Sequence, residues 1–127
     1  MTTPPPLPRA LATVATGGAI GALARWGLGA VAPDADGFPW TTFVVNLVGS
    51  VLLAALPALA VVRRRELVSL FLGTGVLGGF TTLSAYSDQT RTLLATGAAG
   101  TATVYFLGTL AACWAGVALV RRRVQSR

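Results

Sequence analysis

"GVLGGFTTLSAYS", residues 75–87, sets a pair of adjacent glycines, two threonines and two serines in the middle of a chain that is otherwise apolar along most of its length. What those residues do depends on what surrounds them. Of 127 residues, 54% are hydrophobic and only 11% are charged, a balance that excludes an ordinary soluble domain and makes a membrane protein the natural class. No charged residue occurs from Gly37 to Val62, from Leu67 to Ser87 or from Thr92 to Val120, and Arg25 alone interrupts Ala10 to Pro33. A hydrocarbon core needs roughly 20 residues of helix, so each segment is long enough to cross it. The expected helices are Ala10–Val31, Trp40–Val62, Leu67–Gln89 and Leu93–Val120, joined by "APDADGFP", "RRRE" and "SDQTR".

The third helix so drawn is centred near Gly78 and Gly79, which puts the polar stretch at the bilayer midplane. Adjacent glycines weaken a helix, and the Thr and Ser residues after them can capture freed backbone groups, so a broken helix is expected. Non-helical backbone at that depth must be buried in protein or line a cavity, where its carbonyls could hold a small cation. The plainer alternative is a kinked helix without a ligand. The fold class is all-α: a membrane protein of four transmembrane helices with a break in the third. Residues 1–9, "MTTPPPLPR", are expected to be a disordered Pro-rich tail, residues 10–123 the transmembrane domain and 124–127 a basic C-terminal tail. Gly17, Gly18 and Gly21 fall inside the first apolar run, which is longer than a secretory signal core, so cleavage is not expected.

Net charge is +6, but the arginines gather at the ends of apolar segments, which indicates topology and lipid headgroups and argues against nucleic acid. Arg9, Arg63, Arg64, Arg65, Arg121, Arg122, Arg123 and Arg127 fall on one side; Arg91, Asp34, Asp36 and Asp88 fall on the other. The positive-inside rule then places both termini in the cytoplasm, with the arginine clusters orienting the helices. Gly17 and Gly21, and Gly75 and Gly79, have GxxxG spacing and are expected to serve packing.

Several polar residues lie inside the spans. Thr42, Asn46 and Ser50 recur at intervals of four on one helical stripe, as do Thr101, Tyr105, Thr109 and Cys113. Asn46 is either interhelical glue or part of a polar track for a small solute. The hydroxyls of the second file either bond their own helix or offer donors along one side of it. Arg25 either snorkels to the headgroups or attracts anions to a vestibule. Cys113 is the one cysteine, so no intrachain disulfide forms, and there is no histidine. With no buried acidic pair and no metal-ligand cluster, no catalytic residues are expected and an enzyme is the least favoured class.

"GGAIGALARW" at 17–26, "TTFVVNLVGS" at 41–50 and the opening stretch together resemble the Fluc (CrcB) fluoride channels, in the right order and spacing. The resemblance implies a passive, fluoride-selective channel in the cell membrane that exports the anion. It implies a subunit of an antiparallel dimer, with pores at the subunit interface and a central structural sodium ion. Carried over, the sodium carbonyls are those of Gly78 and Thr81. The fluoride pore takes in Asn46, Leu83, Ser84, Tyr86, Tyr105, Thr109 and Cys113, and Arg25 matches the vestibule arginine. Where the family has phenylalanines this chain has Leu83, which has no ring quadrupole, and Tyr86, which could offer an edge or a hydroxyl. Gln89 stands where the family often has Glu. A strongly biased chain inserts one way and cannot pair antiparallel with itself, so the expected partner is an oppositely inserted homologue in a heterodimer. A nonconducting partner subunit is the alternative. Small multidrug exporters share the helix count but need an intramembrane carboxylate, and the acids here map to loops or helix ends.

Overall fold

The computed structural model describes residues 4–34 and 37–125; Asp36 and Arg127, counted in the charge bias, and Met1 to Thr3 of the expected tail lie outside them. Among the described residues every regular element is helical. Four helical spans among them, Leu7–Val31, Trp40–Ala58, Glu66–Ala95 and Ala99–Val124, are long and apolar enough to cross a membrane.

The first span is α1 (Leu7–Val31), which starts before the expected Ala10. Pro8 falls in its first turn, where the missing N–H has no helical partner to lose, so Leu7 to Arg9 belong to the helix rather than to a tail. The second span is α2 (Trp40–Ala55), shorter than expected because Pro57 cannot continue the hydrogen-bond ladder. The chain tightens into a 3-10 turn at Leu56–Ala58, extends at Leu59 and resumes as α3 (Ala60–Arg64). Arg63 donates from Nη1 to the Pro57 and Ala58 carbonyls at 2.9 and 3.2 Å, so one of the arginines assigned to orientation also closes this turn.

The third span runs through α4 (Glu66–Ser69), a π-helical segment Leu70–Leu77 and α5 (Gly78–Phe80), then breaks and resumes as α6 (Leu83–Ala95). At the break Thr81 has φ −74° and ψ 158°, and Thr82 has φ −146° and ψ 119°, both extended. Gly78 and Gly79 are themselves helical, so the interruption falls one turn later than the glycines that suggested it. "SDQTR", expected as a turn, is inside α6: Asp88 and Arg91 pair at 2.8 Å three residues apart, and the Thr90 hydroxyl donates to the Tyr86 carbonyl at 2.8 Å. The chain instead reverses at Gly97, whose φ is +81°. The Gly97 and Ala98 N–H groups donate to Leu94 and Leu93 oxygens at 3.1 and 2.9 Å, the Schellman pattern that ends a helix on glycine. The fourth span, α7 (Ala99–Gln125), follows.

Glycine determines how the first and third spans meet. A Cβ on Gly17 would lie 2.6 Å from the Phe71 oxygen, and one on Gly79 would overlap the Gly18 carbonyl. The two GxxxG pairs therefore face each other, and α1 packs against the π-helical segment and α5 at backbone contact. On the other side α2 and α6 pack against α7 around Val45, Tyr86, Ala102 and Tyr105, all at most 3% exposed. The Tyr86 and Tyr105 rings stand 5.2 Å apart, and Phe38 meets Tyr105 edge-on at 5.3 Å. Leu23, Trp26 and Trp114 project outward, as lipid-facing side chains do.

Candidate permeation site at the helix break

A helix that stops in mid-membrane leaves N–H and C=O groups that no water reaches, each costing several kcal/mol if left alone. The two threonines at the break close its two ends. Thr81 Oγ1 donates back to the Leu77 carbonyl at 2.9 Å, ending the first half. Thr82 Oγ1 accepts the Ala85 N–H at 3.1 Å and so caps the second half. The remaining backbone groups of Thr82 are met by Asn46, whose Nδ2 donates to the Thr82 oxygen at 3.0 Å and whose Oδ1 accepts the Thr82 N–H at 2.8 Å. One amide thus pairs with one residue as a neighbouring β-strand would.

That pairing has a consequence for Gly78. In a continuing helix the Thr82 N–H would donate to the Gly78 carbonyl; here it is turned toward Asn46, and the exposed Gly78 keeps its oxygen without that donor. Arg25 Nε approaches the next oxygen, that of Gly79, at 3.4 Å, where positive charge complements the carbonyl end of a helix. No group of three or more His, Cys, Asp or Glu side chains able to hold a metal occurs among the described residues. A cation at the break would have to be one that accepts neutral oxygens, and a Gly78 carbonyl free of its ladder beside extended Thr81 suits that chemistry.

Two hollows adjoin the break. An open groove of about 670 Å³ is lined by Asn46, Gly78, Thr81, Leu83, Tyr86, Thr109 and Cys113 together with Thr82. A second hollow of about 440 Å³ is lined by Arg25, Trp26, Asp34, Thr42 and Gln89, again with Thr82. Thr82 therefore stands between them.

Most residues expected at a site come together in the groove; Arg25 lines the second hollow instead, and Ser84 and Tyr105 line neither. Ser84 is exposed, faces Thr82 Oγ1 at 3.2 Å and lines neither hollow. Tyr105 is 0% exposed, and its hydroxyl donates to Gln89 Oε1 at 2.7 Å. Tyr86 keeps its ring on the groove, but its hydroxyl donates to the Phe106 carbonyl at 2.6 Å and is not on offer to a ligand. The Thr109 hydroxyl bonds the Tyr105 carbonyl of its own helix at 2.6 Å. Leu83 is 74% exposed at the groove wall. Arg25 pairs with no acid among the described residues, and it shares the second hollow with the Asp34 carboxylate.

Sequence reasoning placed Asp34 correctly in a loop and noted Gln89 only as a departure from the family's Glu, without seeing that the two meet. Asp34 accepts the N–H groups of Thr41 and Thr42 at 2.7 and 3.3 Å, capping α2 from across the loop. The signal was an acid ahead of a helix whose first-turn donors need acceptors.

Residues 12–120 match the family model described as CrcB-like protein, Camphor Resistance (CrcB). The chain is similar to a protein named fluoride-specific ion channel FluC from Novosphingobium aromaticivorans, 44% identical over 115 residues that cover 87% of this chain and 91% of the relative. It is similar to one of the same name from Agrobacterium fabrum, 44% identical over 122 residues covering 87% and 95% of the two chains. A third, from Thermus thermophilus, is 45% identical over 100 residues covering 76% and 80%.

Proposed function

The chain belongs to the CrcB family, and from that premise we propose that it is a subunit of a fluoride-selective channel that exports the anion from the cytoplasm by passive conduction and lowers its concentration there. It is a multi-pass membrane protein of a channel family, which is not an enzyme class. The observation that carries the reading is the break after Phe80, which opens onto a groove with the Gly78 oxygen released from its helix.

A packed four-helix bundle has no central lumen, so the open groove is half of a conduit, and an inverted second subunit closes it. Gly78 and Thr81 would hold sodium together with the same carbonyls of that subunit. Bound there, the ion supplies a fixed positive potential without a titratable group. Along the groove, the second amide hydrogen of Asn46, the Tyr86 ring edge and the Cys113 thiol face the anion in turn. Arg25 raises the potential of the outer hollow, which is the vestibule. Both termini are cytoplasmic by the arginine bias, and the partner is an oppositely inserted homologue. A second reading, a nonconducting member of that heterodimer, is favoured by Leu83: a side chain without a quadrupole is 74% exposed at the groove wall where a ring edge is needed.

Efflux from fluoride-loaded liposomes, followed with a fluoride electrode, tests these readings. With the partner present, efflux is expected to be fast for fluoride and absent for chloride; with this chain alone it is expected to be slow. Fluoride retained in both preparations would end the channel reading. Fast efflux with the chain alone would remove the heterodimer and leave the channel standing.

A further inference from the structure

Asp34 lies in a loop, outside the groove, yet four donors converge on its carboxylate. The Thr41 N–H reaches Oδ1 at 2.7 Å; the Thr42 N–H, the Thr42 hydroxyl and Gln89 Nε2 reach Oδ2 at 3.3, 2.9 and 2.9 Å. Three of the four thus converge on Oδ2 and one on Oδ1. A carboxylate has no proton to give, so the Gln89 amide must turn its nitrogen toward Asp34, and the same nitrogen also reaches Thr42 Oγ1 at 3.0 Å. The Gln89 oxygen then necessarily faces Tyr105, which donates to it at 2.7 Å. Every link runs one way, from Tyr105 through Gln89 to Asp34, and it joins α7, α6 and the loop before α2.

We infer that Asp34 is a positioning residue: as the terminus of this one-way chain it fixes the Gln89 amide and keeps the Tyr105 proton inside the subunit, so that Tyr105 is not a donor to the permeating anion. Thr82 and Gln89 sit on the wall of the same hollow, so the chain also holds α6 at the end where the break lies. Removing the acceptor undoes the constraint. In Asp34→Ala nothing holds the Gln89 nitrogen on that side, the amide turns over, and the phenol loses its acceptor. Asp34→Asn keeps the chain, because its amide oxygen can take the place of Oδ2, on which three donors converge, and turn its nitrogen toward the single donor at Oδ1. In Asp34→Ala with Gln89→Glu, the new carboxylate presents an acceptor to Tyr105 in either orientation.

The tyrosine Raman doublet, which distinguishes a donating phenol from an accepting one, tests this on the purified full-length protein. The chain has two tyrosines, so a Tyr86→Phe background leaves the signal of Tyr105 alone. The donor pattern is expected in that background and stays unchanged on adding sodium fluoride. Asp34→Ala is expected to shift it toward the acceptor pattern, Asp34→Asn to leave it unchanged, and Asp34→Ala with Gln89→Glu to restore it. A donor pattern that survives Asp34→Ala, an acceptor pattern that Gln89→Glu does not reverse, or a doublet that moves with fluoride in the parent background would each overturn the inference. The inference rests on the channel reading only for the identity of the anion. Because the doublet is read without transport, its failure is distinct from a failure of fluoride efflux.

Discussion

Asn46 holds the two backbone groups of Thr82 with its amide oxygen and one of its two amide hydrogens. Asn46→Ala orphans both groups at about 1–3 kcal/mol each, and Asn46→Asp keeps the acceptor but sets a carboxylate oxygen against the Thr82 carbonyl. Both variants are expected to lower the thermal unfolding midpoint in detergent, with no rescue by Asp; a midpoint unmoved by Asn46→Ala would show that the break closes without it. Leu83 is a different case. Its side chain is 74% exposed, so Leu83→Phe adds a ring edge to the groove without disturbing the core. Fluoride efflux from liposomes holding the chain and its partner is expected to rise with Leu83→Phe. Tyr86→Phe is expected to cost about 1 kcal/mol of stability through the lost bond to the Phe106 carbonyl.

Among the elements, the contact of α1 with the first half of the third span tolerates least change. A methyl on Gly79 meets the backbone of Gly18 rather than a side chain that can move, so Gly79→Ala forces the spans apart at about 1–3 kcal/mol. A methyl on Gly108 in α7 would meet nothing within 4 Å, and Gly108→Ala is expected to be neutral or to stabilise by about 0.5–1 kcal/mol. Unfolding midpoints of the two variants should move in opposite directions, or that of Gly108→Ala should stay still while that of Gly79→Ala falls. These glycines also show what was legible in the sequence. Four apolar runs of spanning length give four helices with little room for another outcome, and the paired small residues mark where backbones touch. The presence of a break was legible too, but its position was not. Whether glycines interrupt a helix or bring it against a neighbour depends on what lies opposite, and Gly18 lies opposite. The turn placed at "SDQTR" went wrong for a similar reason: a polar run that can pair along a helix stays helical, and the chain reverses only where Gly97 permits a positive φ. The bond between Gln89 and Asp34 was not legible either, because a partner across the fold, not a spacing along it, gives them their part.

For the whole molecule, orientation in the bilayer decides what the groove can become. On the proposed reading an inverted neighbour closes the open groove, and a chain with its arginines gathered at one end is expected to supply only one orientation. Removing the bias while keeping the fold is therefore expected to let the chain pair with itself. Arg63 must stay, since it closes the turn at Pro57, and so must Arg123, which has a partner of its own. Arg64, Arg65, Arg121 and Arg122 are exposed at that end and can be changed to glutamine together. A protease-cleavable tag appended after Arg127 then reports topology: in sealed right-side-out vesicles the parent tag is expected to be protected, and the variant tag cleaved in a substantial fraction of molecules. Fluoride efflux from liposomes made with the variant alone, reconstituted from membranes where both orientations occur, is expected to exceed that of the parent. Mixed orientation without faster efflux would mean that two copies of this groove do not make a pore, which is the behaviour of a nonconducting subunit. A parent tag already cleaved in half the molecules would mean that the arginines do not hold one orientation, and with that the need for a different partner would disappear.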